Sequence, residues 1–299
     1  TIIFRFPGGR YHATPWGHHV NEGLVEWPPS PWRLLRAFIA TAFTKLHAPD
    51  PLPPEHVLRR LIKTLAESLP SYRLPRAVGT HTRHYMPLGV LDKGREKTTL
   101  VLDACAKIGE QLLVVCWPAE LDAECSQYLD EIVRNIGYLG RAESWVEGRL
   151  LVPGEAPPMD ADLETVPHTE GMAKSRGWEQ VALLAPLSSA SYGKWLEENR
   201  TLNDEAPAAE NKRRSPKESA KDKPLLPSDL FDCLTRDTAW LQKKGWNQPP
   251  GSRRVLYWRP ADALSSSLPV RPHAARANPP PVDAVLLTVA SDTRNGEVL

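Results

Sequence analysis

The chain has 299 residues, 41% of them hydrophobic, enough for one large domain or two smaller ones. Its net charge of +1 means that the whole molecule is not a polycation. No two of Cys105, Cys116, Cys125 and Cys233 are spaced C-x-x-C. They read as reduced core residues of a cytoplasmic protein, not as a zinc knuckle or a disulfide frame.

Ile2 to Phe6 reads as a short strand stopped by Pro7-Gly8-Gly9. Arg10 to Phe38 then packs three His, three Trp, four Pro and three Arg before and into a helix. Ser30-Pro31 opens that helix as N-cap and first helical position, and Leu35, Phe38, Ile39, Ala42, Phe43 and Leu46 form its apolar stripe. Arg33 and Arg36 lie near its other face. A second helix begins at about Glu55, with Leu58, Leu61, Ile62 and Leu65 inward and Arg59, Arg60 and Lys63 outward.

Ser71 to Lys97 is basic, aromatic and broken by Gly and Pro, so it predicts an extended excursion or long hairpin and no central strand. TTLVLDACAK and EQLLVVCWP predict two adjacent antiparallel strands joined around Ile108-Gly109, the second fully buried. A helix carrying Leu121, Cys125, Leu129, Ile132 and Ile136 follows, closed by Gly137 to Arg141, and Trp145 to Val152 predicts another strand. This is an α+β chain in the ferredoxin-like (RRM-like) order β-α-β-β-α-β over residues 1–152, with a thumb-like excursion at about 71–97. The order alone says nothing of function. Residues 153–260 form a smaller, loop-rich, β-containing part of the same module with a charged, disordered insertion at 203–224. Residues 261–282 have a linker's composition, and AVLLTVA within 283–299 reads as the start of a truncated second domain. Apolar runs fall far short of the ~20 residues of a membrane span, and no signal peptide is read.

The charge is uneven. Residues 1–89 hold 11 Lys/Arg against 5 Asp/Glu and seven of the nine His, whereas the remainder holds 26 against 31. That points to an anionic partner for the N-terminal region, with chance clustering as the bland alternative. His12, His18 and His19 lack the face-sharing spacing of helical zinc ligands, and Arg83 between His81 and His84 repels a cation, so no metal is expected. A histidine acting as general acid–base beside phosphate-holding cations is an open alternative. Single-stranded RNA would use cations along its backbone and rings against its bases. Arg10, Tyr11, Trp16, His18 and His19 interleave those types, as do Tyr72, Arg73, Arg76, His81, Arg83, His84 and Tyr85, with Arg33 and Arg36 on the first helix. Trp27 and Trp32 have the competing role of packing the loop onto the core. In Tyr138 to Ser144, Gly140 permits close backbone approach and Arg141 fits a phosphate; the plain alternative is a helix C-cap with an Arg141–Glu143 ion pair.

RYHATPWGHHVNEGLVEWPPSPWRLLRAF, THTRHYMP, KTTLVLDA, YLGRAESWVEGRL and GWNQPPGSRRVLYWRP together resemble a CRISPR-associated family. It is the type I-G (formerly I-U) subunit that fuses a Cas-five-type module to a Cas-six-type module, and the resemblance runs from Phe4 to about Pro260. It implies a ferredoxin-like fold with a protruding thumb. It further implies a non-catalytic, cofactor-free subunit of a Cascade surveillance complex that grips the 5′ handle of CRISPR RNA. The subunit would cap the foot of the backbone-subunit filament, touch the large subunit, and meet target DNA only through the complex. Endoribonuclease residues are then expected beyond Leu299. A metal-free endoribonuclease already complete in this chain and a purely protein-bridging subunit are the other two readings.

Overall fold

Alternation along β1 (Ile2–Arg5) sets the two faces of the main sheet: Ile2 and Phe4 enter the large core, while Ile3 joins a small cluster on the other side. The structure is a computed structural model that describes residues 1–265, apart from 110, 153, 156–162, 173, 175, 206–225 and 244–245. After β1 come β2 (Arg10–Tyr11), α1 (Pro31–Thr44), α2 (Val57–Ala66), β3 (Ser71–Leu74), β4 (Ala77–Asp92), β5 (Arg95–Ile108), β6 (Leu112–Cys116), α3 (Ala123–Asn135) and β7 (Glu147–Leu150). Then follow β8 (Leu163–Pro167), β9 (Trp178–Pro186), α4 (Ser189–Glu205), α5 (Leu230–Thr235), α6 (Thr238–Lys243), β10 (Ser252–Pro260) and β11 (Leu264–Ser265). No helix among the described residues is long and apolar enough to cross a membrane.

The chain is α+β, as its sequence predicts. Seven strands form one sheet in the order β7-β1-β6-β3-β8-β10-β9, and four form a second in the order β11-β4-β5-β2. β1 lies between β6 and β7, antiparallel to both, and β3 is antiparallel to β6. α1 starts as expected: Ser30 Oγ accepts from the Arg33 N–H at 3.3 Å, and Pro31 follows. Its Leu34, Leu35, Phe38 and Ala42 are wholly buried, each large side chain contributing roughly 1.5–3 kcal/mol of apolar transfer. α2 is capped by an imidazole, His56 Nδ1 accepting from the Leu58 N–H at 3.1 Å. Asp122 caps α3 through the Cys125 N–H at 2.7 Å.

Two sequence expectations change. TTLVLDACAK and LLVVC do not pair: β5 lies between β4 and β2, and β6 between β1 and β3. The burial of each strand explains this. Leu113, Val114 and Val115 are sealed on both faces and need a central place, whereas β5 is exposed over its first half and buried only near its end. Within the excursion, Ser71–Leu74 is a central strand after all, because the Pro and Gly lie outside these four residues and Tyr72 and Leu74 point inward. Residues 153–180 are loop-rich as expected among the described residues, apart from β8 and the start of β9.

Residues 77–108 are the long hairpin that the sequence allowed. Lys93 (φ 49°) and Gly94 (φ 79°) make its turn, both in the left-handed region that a two-residue I′ connection requires. The 14 residues of β5 span about 45 Å at ~3.3 Å each. Of the expected linker, residues 261–265 belong to the module: Ala263 is buried, and Leu264 and Ser265 pair with Ala77 and Val78. The rest of the linker and the segment 283–299 lie outside the described residues, as does the charged insertion 203–224 except for its first three residues, which end α4.

Candidate nucleic-acid interface

The hairpin's pairing register places its side chains. Thr82 faces Asp103, Arg83 faces Leu102, His84 faces Val101 and Tyr85 faces Leu100. His81, Arg83 and Tyr85 therefore share one face, and Thr82 and His84 share the other with Asp103 and Cys105. His81, Arg83 and Tyr85 are all exposed, Tyr85 to 67%, and none has a side-chain hydrogen bond or ion pair among the described residues. An imidazole, a guanidinium and a phenol ring thus alternate along ~13 Å of strand, ready for a partner. Beyond them the tip adds exposed Lys93, Arg95 and Lys97 and an apolar run that includes Leu88, Val90 and Leu91.

At the hairpin base, Arg10 of β2 stands directly opposite Lys107 of β5, both exposed and without a carboxylate partner among the described residues. Like charges directly opposite each other destabilise a strand pair, so this arrangement suits an anion that neutralises both. The His-rich loop lies along the same strand. Asn21 Oδ1 accepts the Leu102 N–H at 3.0 Å, which anchors the short 3₁₀ turn Val20–Glu22 to the edge of β5. His18 Nδ1 lies 2.6 Å from Glu22 Oε2, and the His19 N–H donates to Glu22 Oε1 at 2.9 Å. The His19 backbone bond and the His18 ring bond hold the Glu22 carboxyl below its usual value. His18 and His19 are exposed. Two basic, aromatic segments about sixty residues apart in sequence thereby meet at one strand.

Asp103 is a junction. Its half-buried carboxylate accepts from Arg141 Nη1 at 3.0 Å and pairs with His84 Nε2 at 3.0 Å, with His12 Nε2 3.9 Å away. On its other side, His12 Nδ1 lies 2.5 Å from Glu143. The His12 backbone is also held: its N–H donates to Ser144 Oγ at 2.8 Å, and its carbonyl accepts from the Arg141 N–H at 2.9 Å. Burial pushes the Glu143 carboxyl up, but a backbone hydrogen bond, His12 and Arg141 together bring it below its usual value. The turn from Tyr138 to Trp145 is thus locked to the hairpin and to the end of β2.

Several sequence-predicted contacts are structural. Tyr11 is no stacking platform: it is fully buried, edge-on to Phe6 with centroids 5.8 Å apart and tilted against Trp27 at 5.5 Å. Burial, then Glu26, pushes its hydroxyl well above the usual phenol value. Arg33 does not offer itself to phosphate: it pairs with buried Glu26 at 2.7 Å and donates to the Thr14 carbonyl at 2.9 Å. Arg36 caps the end of α5, donating to the Leu234 and Arg236 carbonyls at 2.8 and 2.6 Å. Arg76 pairs with Asp262, and Arg141 with Asp103 in place of the plain Arg141–Glu143 alternative. Trp16 is half-buried, its Nε1 donating to the Asn247 carbonyl at 2.8 Å. Arg73 is exposed on the helix-free face of the large sheet, in register with Glu164, and not on the hairpin stripe. Trp27 and Trp32 are buried.

Sequence reasoning missed Lys107, Asp103 and the exposed rings of Tyr138 and Trp145. Alternation within THTRHY carried the signal for the hairpin stripe, whereas Lys107 and Asp103 acquire meaning only through pairing partners far away in sequence. Among the described residues no group of three or more His, Cys, Asp or Glu is arranged to hold a metal ion. No protein-family model matches the chain, and no curated protein does.

Proposed function

We propose that this chain binds single-stranded RNA, as the Cas-five-type, 5′-handle-binding module of a cytoplasmic type I CRISPR surveillance complex. The observation that carries the reading is the exposed His81–Arg83–Tyr85 stripe, whose side chains have no hydrogen-bond or ion-pair partner among the described residues; at the hairpin base, Arg10 opposite Lys107 adds positive charge on the other face, the one that carries His84. Within the large sheet, the order β7-β1-β6-β3, all antiparallel, with α1 and α2 between β1 and β3 and α3 between β6 and β7, supports a ferredoxin-like core. The hairpin inserted between β3 and β6 has the place and length of a thumb. Backbone and large subunits are the protein partners in this reading.

Binding, not cleavage, is the role this geometry favours. His12 is only 5% exposed in its side chain and sits between Asp103 and Glu143, while His84 is engaged with Asp103. A general acid–base must reach the proton it moves. The buried His12 imidazole cannot reach an RNA 2′-hydroxyl without first breaking this junction, and Nε2 of His84 is taken by Asp103. The test is RNA binding by the 299-residue chain over a range of salt. A single strand held by Arg10, Lys107 and Arg83 is expected to give a log–log slope of about −2, ~0.7 per contact. Binding that does not respond to salt would refute the electrostatic reading, and metal-free cutting of precursor RNA would favour the endoribonuclease.

A further inference from the structure

A cleft of about 590 Å³ opens between α1 and the turn from Gly137 to Trp145, away from the hairpin stripe. This volume is within the ~300–1,000 Å³ of small-molecule sites. Its wall carries four aromatic rings, those of Trp16, Trp32, Tyr138 and Trp145, of which Trp32 is buried. Trp145 is 60% exposed and Tyr138 52%, values unusual for such large side chains, and Trp16 is fixed in the wall by its bond to Asn247. A backbone bridge pairs Tyr138 with Trp145, and Leu139 between them is wholly buried as an anchor.

The cleft's charge is as informative as its rings. Arg33, Arg36 and Lys45 line it against one carboxylate, that of Glu26. Glu26 is spent on Arg33; Arg36 is oriented by carbonyls, with the Asp237 carboxylate acting on it from outside the cleft lining. Lys45 is exposed and has no ion pair among the described residues. Flat apolar faces beside a surplus of fixed positive charge complement a flat aromatic group attached to an anion. A nucleobase with its phosphate has that chemistry.

The cleft is also pre-formed. Gly140 takes φ +91°, and a Cβ there would lie 2.5 Å from the His12 carbonyl oxygen, so the turn carrying both rings is seated against β2. Resting on the RNA-binding reading above, we propose that this cleft accepts a nucleobase of the bound single strand. The base would stack on Trp145 or Tyr138, with its phosphate toward Lys45 and Arg36. The hairpin stripe and the cleft would then hold two separate parts of one strand, joined through the Arg141–Asp103 contact between the turn and β5.

The test compares two probes on the full chain by fluorescence anisotropy: an eight-nucleotide adenosine RNA, and an abasic ribose-phosphate strand of equal length. Unaltered chain is expected to prefer the adenosine strand. The Tyr138→Ala, Trp145→Ala double variant should lose about 5- to 150-fold on that strand, the range for one lost stacked base, and nothing on the abasic strand. Trp145→Phe alone should keep most of the preference. Both rings are more than half exposed, so the thermal midpoint should hold. As a check that needs no variant, 4-thiouridine RNA cross-linked to unaltered chain should mark Tyr138 or Trp145. Unchanged adenosine-strand affinity in the double variant, no preference in the unaltered chain, or adducts confined to the hairpin each overturn the cleft while leaving RNA binding in place. Failure of unaltered chain to bind either strand overturns the RNA reading and the cleft with it.

Discussion

Replacing Gly140 with Ala tests whether the turn between α3 and β7 is held as closely as the geometry says. At φ +91° any side chain is strained, at about 1–3 kcal/mol. The new methyl would also lie 2.5 Å from the His12 carbonyl oxygen and 3.3 Å from the Ala13 Cβ. The turn must then withdraw, and the bond from the Arg141 N–H to that carbonyl, 2.9 Å long, goes with it at ~0.5–1.5 kcal/mol. Together these come to about 2–4 kcal/mol, or roughly 4–16 °C in thermal midpoint for a unit of this size. Gly137→Ala is the control, because nothing stands within 4 Å of a Cβ there and its backbone is not left-handed. Its midpoint should move by no more than ~2 °C. Circular dichroism melts of the two variants and the unaltered chain read the difference. A Gly140→Ala midpoint within 2 °C of the unaltered chain would refute the close seating of the turn on β2. RNA affinity should fall as well, since the same turn positions Arg141, Tyr138 and Trp145.

Stability should also depend on Glu143 in acid. Its folded-state value lies below the ordinary one, so its contribution is complete above the unfolded value and is lost as pH falls through the folded one; Glu143→Gln should therefore narrow its midpoint gap to the unaltered chain between pH 6 and pH 3. Replacing His18 and His19 together with Gln keeps hydrogen-bond donors and removes the titrating groups. Most RNA affinity should survive, and a ~100-fold loss of RNA processing by the assembled complex would place acid–base chemistry in that loop. Arg33→Ala should cost roughly 3–5 kcal/mol of stability by leaving Glu26 buried and unpaired, with little change in salt slope. Arg83→Ala should do the reverse, lowering the slope by ~0.7 at an unchanged midpoint, read by anisotropy titrations alongside melts.

The first three helices were legible because their signals are local, whereas α4, α5 and α6 were not read. Ser30-Pro31 caps α1, and the apolar stripes on α1, α2 and α3 face the core; the Asp122 cap of α3 was not read, and Leu121, expected on that helix, precedes it. Strand pairing is not local. Nothing within TTLVLDACAK says that its edges are taken by β4 and by Arg10–Tyr11, and nothing within LLVVC says that it lies between β1 and β3. Tyr72 and Leu74 were hidden by the Pro and Gly of the segment that follows them. The candidate site divides in the same way. The composition of the His-rich loop and of THTRHY marked two segments that meet at β5, but composition does not distinguish a ring at the surface from one in the core. Tyr11 and Tyr85 look alike in sequence, and one is wholly buried whereas the other is 67% exposed.

The arginines show what separates the two roles. Seven were candidates for phosphate. Arg33, Arg36, Arg76 and Arg141 are engaged by Glu26, by the carbonyl end of α5, by Asp262 and by Asp103. For Arg36, Arg76 and Arg141 the partner is distant in sequence, so the guanidinium joins separate parts of the fold, whereas Arg33 ties α1 to the loop that leads into it. Arg10, Arg73 and Arg83 have no such partner among the described residues. The chain holds 36 Asp and Glu, so carboxylates are not scarce. A cation left uncompensated in such a chain, and in the case of Arg10 set directly opposite Lys107, costs folding free energy unless something outside the chain neutralises it. Arg83 adds an exposed ring two residues along the same face, which a simple counter-ion does not need and a stacked base does. Uncompensated charge and an unpacked ring together at one strand face are what the proposed RNA contact needs and a structural ion pair lacks, and the hairpin face from Arg83 to Tyr85 has both among the described residues.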